Sequence, residues 1–179
     1  MQIAVGDRFF ETMLSHEEIN ERIAELAVQL QTDYAAKVPV FIGVLSGSFM
    51  FLGDLMKAVN IPAEVSFIKV ASYQGDHSSG EIVEQLGFSS DLSSRDIILV
   101  EDIVDTGHTL QFLLEKIKEF HPKSVKVCSL LFKPAACNYQ FDELQYIGFE
   151  IPNDFVVGYG LDYDGLGRNL KDIYRLAAS

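Results

Sequence analysis

ILVEDIVDTGHTL, residues 98–110, sets the carboxylates of Glu101, Asp102 and Asp105 directly before a turn of small and hydroxylic residues, Thr106-Gly107-His108-Thr109. The apolar, β-branched run that leads into the acids has the composition of a strand buried on both faces. The turn that follows opens a helix, so the acids fall at the carboxyl end of a strand beside a helix N-terminus, where open α/β sheets bind their ligands. The first N–H groups of a helix have no partner within it, and with the two threonine hydroxyls they make a cradle for an anion.

Acids and cradle are in conflict unless the ligand separates them. One carboxylate about 6 Å from one phosphate charge costs roughly 3 kcal/mol at an effective dielectric near 20. A helix N-terminus returns only about 0.3–2 kcal/mol. The two must hold different parts of one ligand or share a metal ion. A ribose 5-phosphate meets both conditions: its phosphate sits on Thr106–Thr109 and its ring hydroxyls donate to the acids. Mg²⁺, which takes oxygen ligands and keeps several waters, neutralises them. A solvated acidic loop would be the plainer reading of Glu101-Asp102 alone. A phospho-acceptor aspartate would need an acidic pair far upstream, and no early strand ends in one.

Working outward, strands and helices alternate. Ser15-His16-Glu17-Glu18 is a capping-box pattern, and Ile19, Ile23, Leu26, Ala27 and Leu30 recur at helical spacing behind it. Strands are expected at 38–45, 63–71, 96–103, 124–132, 144–151 and 155–160, and helices at 49–59 and from the acidic turn to Phe120, where His121-Pro122 stops the helix. This order predicts an α/β fold, a twisted and mostly parallel sheet covered by helices on both faces. Residues 72–94, rich in Gly, Ser and polar side chains, are too long for an ordinary connection and read as a binding loop or lid.

The 179 residues are expected to form one domain. The net charge of −12 disfavours nucleic acid and anionic membrane as partners. Cys128 and Cys137 are too few for a disulfide framework and form no metal-binding spacing. The longest uncharged stretch, residues 38–53, is shorter than a membrane-spanning helix needs and no leader pattern shows, so a soluble cytoplasmic protein is expected.

FIGVLSGSFMFLGDL, VEDIVDTGHTL, LLFKPA and FEIPNDFVVGYGLDY together resemble the hypoxanthine-guanine phosphoribosyltransferases, with the match running over nearly the whole chain. The resemblance implies the type I phosphoribosyltransferase fold, with a small base-binding hood built from the N-terminal segment and roughly residues 150–179. It implies transfer of a phosphoribosyl group from 5-phosphoribosyl-1-pyrophosphate to a 6-oxopurine, with Mg²⁺ as cofactor and a homodimer or homotetramer as assembly. By the same resemblance Glu101 and Asp102 hold the ribose hydroxyls and the metal's water shell. Asp105 is the proton acceptor, and Asp105, Thr106, Gly107, His108 and Thr109 clasp the 5-phosphate. Ile103, Lys133, Phe155, Val156 and Asp162 serve the base, with Lys133 donating to its 6-oxo oxygen, and Asp162 also helps hold metal. Ser46, Gly47 and Arg168 meet pyrophosphate, and Ser72 and Tyr73 open the lid.

Three positions depart from the family pattern. Ser46 and His108 stand where many or some members carry a basic residue, and Gly167 replaces a more usual aromatic. Two other readings stay open: a xanthine-preferring enzyme, and an RNA-binding regulator on the same fold. The second needs a basic face, which 14 Lys and Arg in a −12 chain do not favour.

Overall fold

A computed structural model describes residues 1–72, 82–87 and 91–177. In chain order the elements are β1 (Gln2–Val5), β2 (Arg8–Leu14), α1 (His16–Asp33), β3 (Val40–Leu45), α2 (Phe49–Ala58), β4 (Glu64–Ser72), β5 (Ile82–Leu86), β6 (Asp96–Val104), α3 (His108–Lys118), β7 (Ser124–Phe132), β8 (Leu144–Glu150), β9 (Val156–Val157) and β10 (Ile173–Leu176).

The larger sheet has the order β5-β4-β3-β6-β7-β8. All its pairs are parallel except β4 with β5. Its central strands are buried on both faces, as their unbroken apolar runs require. Phe41, Ile98, Val100, Cys128 and Leu130 pack with α1 and α2 on one face. Val40, Ile42, Val44, Ile97, Leu99 and Val127 pack with α3 on the other. The period of two along each strand divides these side chains between the layers.

Helix α1 starts where the sequence says it should. Ser15 Oγ accepts the Glu18 N–H at 3.3 Å, and the Ser15 N–H donates to Glu18 Oε2 at 2.8 Å. The five apolar residues at helical spacing are the five that α1 buries. Arg22 donates to the carbonyls of Gly148 and Ile147, which fastens α1 to β8.

A second sheet, β1-β2-β10-β9, is antiparallel and is made by the two ends of the described chain. None of β1, β2 and β10 was expected, because short two-sided strands carry little periodicity. The strand expected at 155–160 shrinks to Val156–Val157 and joins this sheet. It stops because Gly158 (φ 102), Tyr159 (φ 48) and Gly160 (φ 100) turn the backbone away. The expected 72–94 loop also needs correction, since Ile82–Leu86 within it is a strand pairing β4. Tyr73 and most of the remaining loop lie outside the described residues. Helix α3 ends at Lys118, two residues short of Phe120.

Replacing Ser15 by Ala removes the hydroxyl half of the capping box, leaving the backbone N–H bond to Glu18, and should cost about 1 kcal/mol, or about 2–4 °C of melting temperature for a chain of this size. Thermal melting followed by circular dichroism checks this, and an unchanged midpoint would contradict it.

Candidate active site

Strand β6 outruns its neighbour. Its pairing with β3 stops at Gly43 opposite Val100, whereas its pairing with β7 continues to Val104 opposite Phe132. Glu101 to Val104 therefore project past β3, and the turn after β3 folds over them. There the Leu45–Ser46 peptide is cis. A Cβ on Gly47 would fall 1.6 Å from Asp102 Oδ2, so the Asp102 carboxylate occupies the space that any other residue would fill. Gly47 is a glycine because the acid leans on its backbone.

A third segment closes on the same point. A Cβ on Gly160 would lie 2.0 Å from the Gly47 carbonyl oxygen. The Gly160 carbonyl accepts from Arg168 Nη1 at 2.6 Å, and Arg168 Nη2 pairs with Asp162 Oδ1 at 2.7 Å. Asp162 Oδ2 takes the Gly165 N–H at 2.8 Å. Asp162 and Arg168 thus face the acids of β6 across one cleft of about 470 Å³. Its walls are residues 101–107, Thr109 and Leu110, with Val44, Leu45, Gly47, Val70, Asp162 and Arg168.

The acids are held against their preference. Glu101 is 4% exposed. Burial first, and then the charge of Asp102, push its carboxyl well above the usual range. Burial also pushes Asp102 up to about 6, against the hydrogen bonds of the Ile103 and Asp102 N–H groups and the charge of Arg168, while Asp162 adds to the rise. Two adjoining carboxylates that resist ionisation want a cation. Among the described residues no three His, Cys, Asp or Glu side chains form a metal cage. That donor set suits Mg²⁺, which is held by one or two carboxylates together with water and phosphate oxygens.

The turn after β6 is built for close approach. Gly107 takes φ 87 and caps α3, and the Asn138 N–H donates to the Thr106 carbonyl at 3.0 Å. A Cβ on Gly107 would sit about 3 Å from Cys137, Tyr139 and Phe141, so the loop after β7 supports the cradle from below. Lys133, 5% exposed, reaches Asp105 Oδ2 with its Nζ at 2.9 Å.

Of the residues singled out from sequence, Glu101, Asp102, Ile103, Asp105, Thr106, Gly107, Thr109, Gly47, Asp162 and Arg168 line one cleft. Lys133 joins them through Asp105. Others stand apart from its walls. His108 is exposed and bonds the Tyr139 hydroxyl through Nδ1 at 2.8 Å. Ser46 is exposed, Val156 is buried in β9, and Phe155 packs on the small sheet with 44% of its surface open. Ser72 ends β4. Sequence reasoning missed Gly160 and Tyr139, which support the site from outside the motifs.

Acids on an overrunning central strand, a glycine-capped helix N-terminus beside them and a cleft at the carboxyl edge of a mostly parallel sheet define the type I phosphoribosyltransferase class. The Phosphoribosyl transferase domain family matches residues 11–164. A hypoxanthine-guanine phosphoribosyltransferase of Mycobacterium avium is 43% identical over 168 residues, covering 90% of this chain and 82% of the relative. That of Streptococcus pneumoniae is 43% identical over 162 residues, covering 90% and 89%. The crystal structure of a hypoxanthine-guanine phosphoribosyltransferase from Bacillus anthracis superposes with a TM-score of 0.88 at 34% identity, covering 93% of this chain and 98% of that one. The chain belongs to the hypoxanthine-guanine phosphoribosyltransferase family. It also matches the bifunctional protein TilS/HprT of Listeria monocytogenes at 43% identity, spanning 25% of that protein's length.

The raised carboxyls predict an inverse pH response. A carboxyl whose folded pKa lies above its unfolded value destabilises the fold when ionised. Stability without divalent cations should therefore be full below about pH 4 and decline as pH rises through about 6. Asp102→Asn or Glu101→Gln should raise the melting temperature at pH 8 by about 2–4 °C or more and lose that advantage by pH 4. Melting curves across this range decide it; a gain independent of pH would contradict the assignment.

Proposed function

We propose that the protein transfers a phosphoribosyl group from 5-phosphoribosyl-1-pyrophosphate to a 6-oxopurine, hypoxanthine or guanine, and releases pyrophosphate. The observation that carries this reading is the single cleft in which a buried acid pair and a glycine-capped helix N-terminus are joined by one strand-to-helix corner. In our reading Glu101 and Asp102 receive the ribose 2- and 3-hydroxyls, and the residues from Asp105 to Thr109 clasp the 5-phosphate. This division keeps the acids a sugar's width from the phosphate and avoids the repulsion that contact would bring.

The bond from the anomeric carbon to pyrophosphate breaks with its electron pair leaving on the pyrophosphate, and a purine nitrogen bonds that carbon. Asp105 accepts the proton from the nitrogen on the other side of the five-membered ring. Ionised Glu101 and Asp102 favour the positive charge that builds on the ribose. Glu101 and Asp102 would hold Mg²⁺ through its water shell and Asp162 would help hold a second ion, and the metal bound there would supply the positive charge that offsets the pyrophosphate. The Gly47 backbone and the Arg168 guanidinium receive that pyrophosphate, the latter as a forked donor. For Arg168 to do so it must share or leave its contact with Asp162.

Lys133 is buried, and its ion pair with Asp105 spares it the cost of an unpaired interior charge. Its remaining donors select a carbonyl over an amino group at the purine 6 position, because an amino group would leave the ammonium facing another donor. Ile103 and Phe155 face the ring, with the Val156 backbone at its edge, and the small sheet forms the hood over the base. The segment from Ser72 and Tyr73 shields the oxocarbenium-like state from water. The protein acts in the cytoplasm as a homodimer or homotetramer.

Asp105→Asn should lower turnover about 10²–10⁴-fold while nucleotide binding stays nearly intact. Pyrophosphate release measured with Mg²⁺ and each of four purines in turn tests the activity, and full turnover in the variant would refute the role of Asp105. Lys133→Ala should reduce the preference for hypoxanthine over adenine at least tenfold, by the cost of a lost charged hydrogen bond; competition between the two bases reads this directly.

A further inference from the structure

Tyr163 is assigned no role in the reaction, yet its side chain touches the β1–β2 turn, Phe10 and Phe155 at once. Tyr163-Asp164-Gly165-Leu166 closes on itself, with Tyr163 and Leu166 exchanging backbone bonds of 2.9 Å. Asp164 (φ 49) and Gly165 (φ 79) both lie in the left-handed region, the signature of a tight type I′ turn. This turn sends Asp162 and Tyr163 in different directions. The Asp162 carboxylate goes to Arg168 and the cleft. The Tyr163 ring goes to the aromatic side chains at the hood.

There the Phe155 and Tyr163 rings form a T-shaped pair at 5.9 Å between centroids and 83° between planes. Phe10, fully buried, completes the triangle at 6.2 Å from Phe155 and 6.1 Å from Tyr163. The outer side of Tyr163 is gripped by the turn between β1 and β2. Its hydroxyl donates to Asp7 Oδ1 at 2.8 Å, the Arg8 guanidinium lies 5.1 Å from its ring centroid, and Gly6 (φ 61) leaves 3.3 Å between its would-be Cβ and the ring. Residues 6–10 lie outside the stretch matched by the family, 11–164.

We infer that Tyr163, held by the Gly6-Asp7-Arg8 turn, is a positioning residue that fixes the Phe155 ring and thereby sets purine affinity. The inference rests on the reading of Phe155 as the ring that stacks on the base. Phe155 is 44% exposed, so packing on its open side cannot fix its rotamer; its two aromatic neighbours must. Edge-to-face geometry favours one orientation of the pair over others. Asp162 is held separately by Arg168 and the Gly165 N–H, so loss of the Tyr163 ring leaves the pyrophosphate side in place. Tyr163 therefore acts on one substrate and not on the other.

Steady-state kinetics of the full chain separates these effects. Tyr163→Leu should raise the KM for hypoxanthine roughly 3- to 10-fold, the fold-change equivalent of one aromatic pair, with the KM for 5-phosphoribosyl-1-pyrophosphate within about twofold of the parent. Tyr163→Phe keeps the ring and its Arg8 contact and loses only the bond to Asp7, so its purine KM should fall between those of the parent and Tyr163→Leu. An unchanged purine KM, or two KM values rising together, overturns the inference. Should Tyr163→Leu fail to fold, the exposed pair Asp7→Ala and Arg8→Ala replaces it; a rise confined to the purine KM supports the clamp, and no rise overturns it. Phe155→Leu distinguishes the two layers. If it leaves the purine KM unchanged, the stacking role itself fails and this inference with it. If it raises that KM and Tyr163→Leu does not, the inference alone falls.

Discussion

The Asp102 carboxylate rests in a space that exists only because residue 47 has no side chain, and the Gly47 carbonyl in turn abuts Gly160. This stack of an acid and two glycines holds the site together. It brings the turn after β3, the overrun of β6 and the loop carrying Asp162 and Arg168 to one point, although they are far apart in sequence. Backbones can approach this closely only where no Cβ intervenes. A methyl group at Gly160 would meet the Gly47 carbonyl, which is backbone and can yield only by moving the whole turn, and one at Gly47 would displace the Asp102 carboxylate itself.

The same stack creates the electrostatic problem that a substrate can solve. Glu101 and Asp102 are pressed together in a poorly hydrated corner, with Arg168 as the cation that offsets Asp102 and is itself shared with Asp162. In the proposed reaction a sugar diol would supply hydrogen bonds to these acids, and a hydrated Mg²⁺ would supply charge. The cost of burying the acids in the free protein would then be relieved when the ligand arrives. Asp105 and Lys133 resolve the neighbouring conflict differently, by pairing with each other.

The central sheet was legible because its strands are buried on both faces and α1 carries a cap and a 3.6-residue period. Val40–Leu45, Asp96–Val104 and the Ser15 box came out within a residue or two of where the patterns put them. The corner at 101–109 was legible as a strand-to-helix turn because an apolar run, acids and a small-residue turn follow one another in that order. The small sheet was not legible. β1 and β10 are four residues each, and β10 pairs with β2 from Ile173 opposite Leu14 to Leu176 opposite Phe10, across nearly the whole length of the chain. No local pattern encodes that meeting. Nor does a motif reveal that Asp162 and Arg168 pair with each other, that His108 turns to Tyr139, or that Phe155 stands outside the cleft walls.

Those three misses share a cause. Motifs locate backbone positions relative to a strand or a helix end, whereas side-chain direction is decided by whatever packs beside it. His108 follows Tyr139 because the loop after β7 puts a hydroxyl 2.8 Å from its ring nitrogen. Phe155 follows Phe10 and Tyr163 because they are the apolar surface within reach. In each case the deciding neighbour comes from a different part of the chain, and for Phe155 part of it comes from residues ahead of the stretch the family shares. In the proposed reaction the acidic corner of the parallel sheet carries the transfer chemistry, and the base is shared, with Ile103 and Lys133 reaching it from β6 and the end of β7 and Phe155 from the antiparallel sheet. The two sheets are bound into one core, in which Val156 and Ile173 pack with α1 and α2 and the Tyr159 hydroxyl donates to Asp54, so the hood is not independent of the corner.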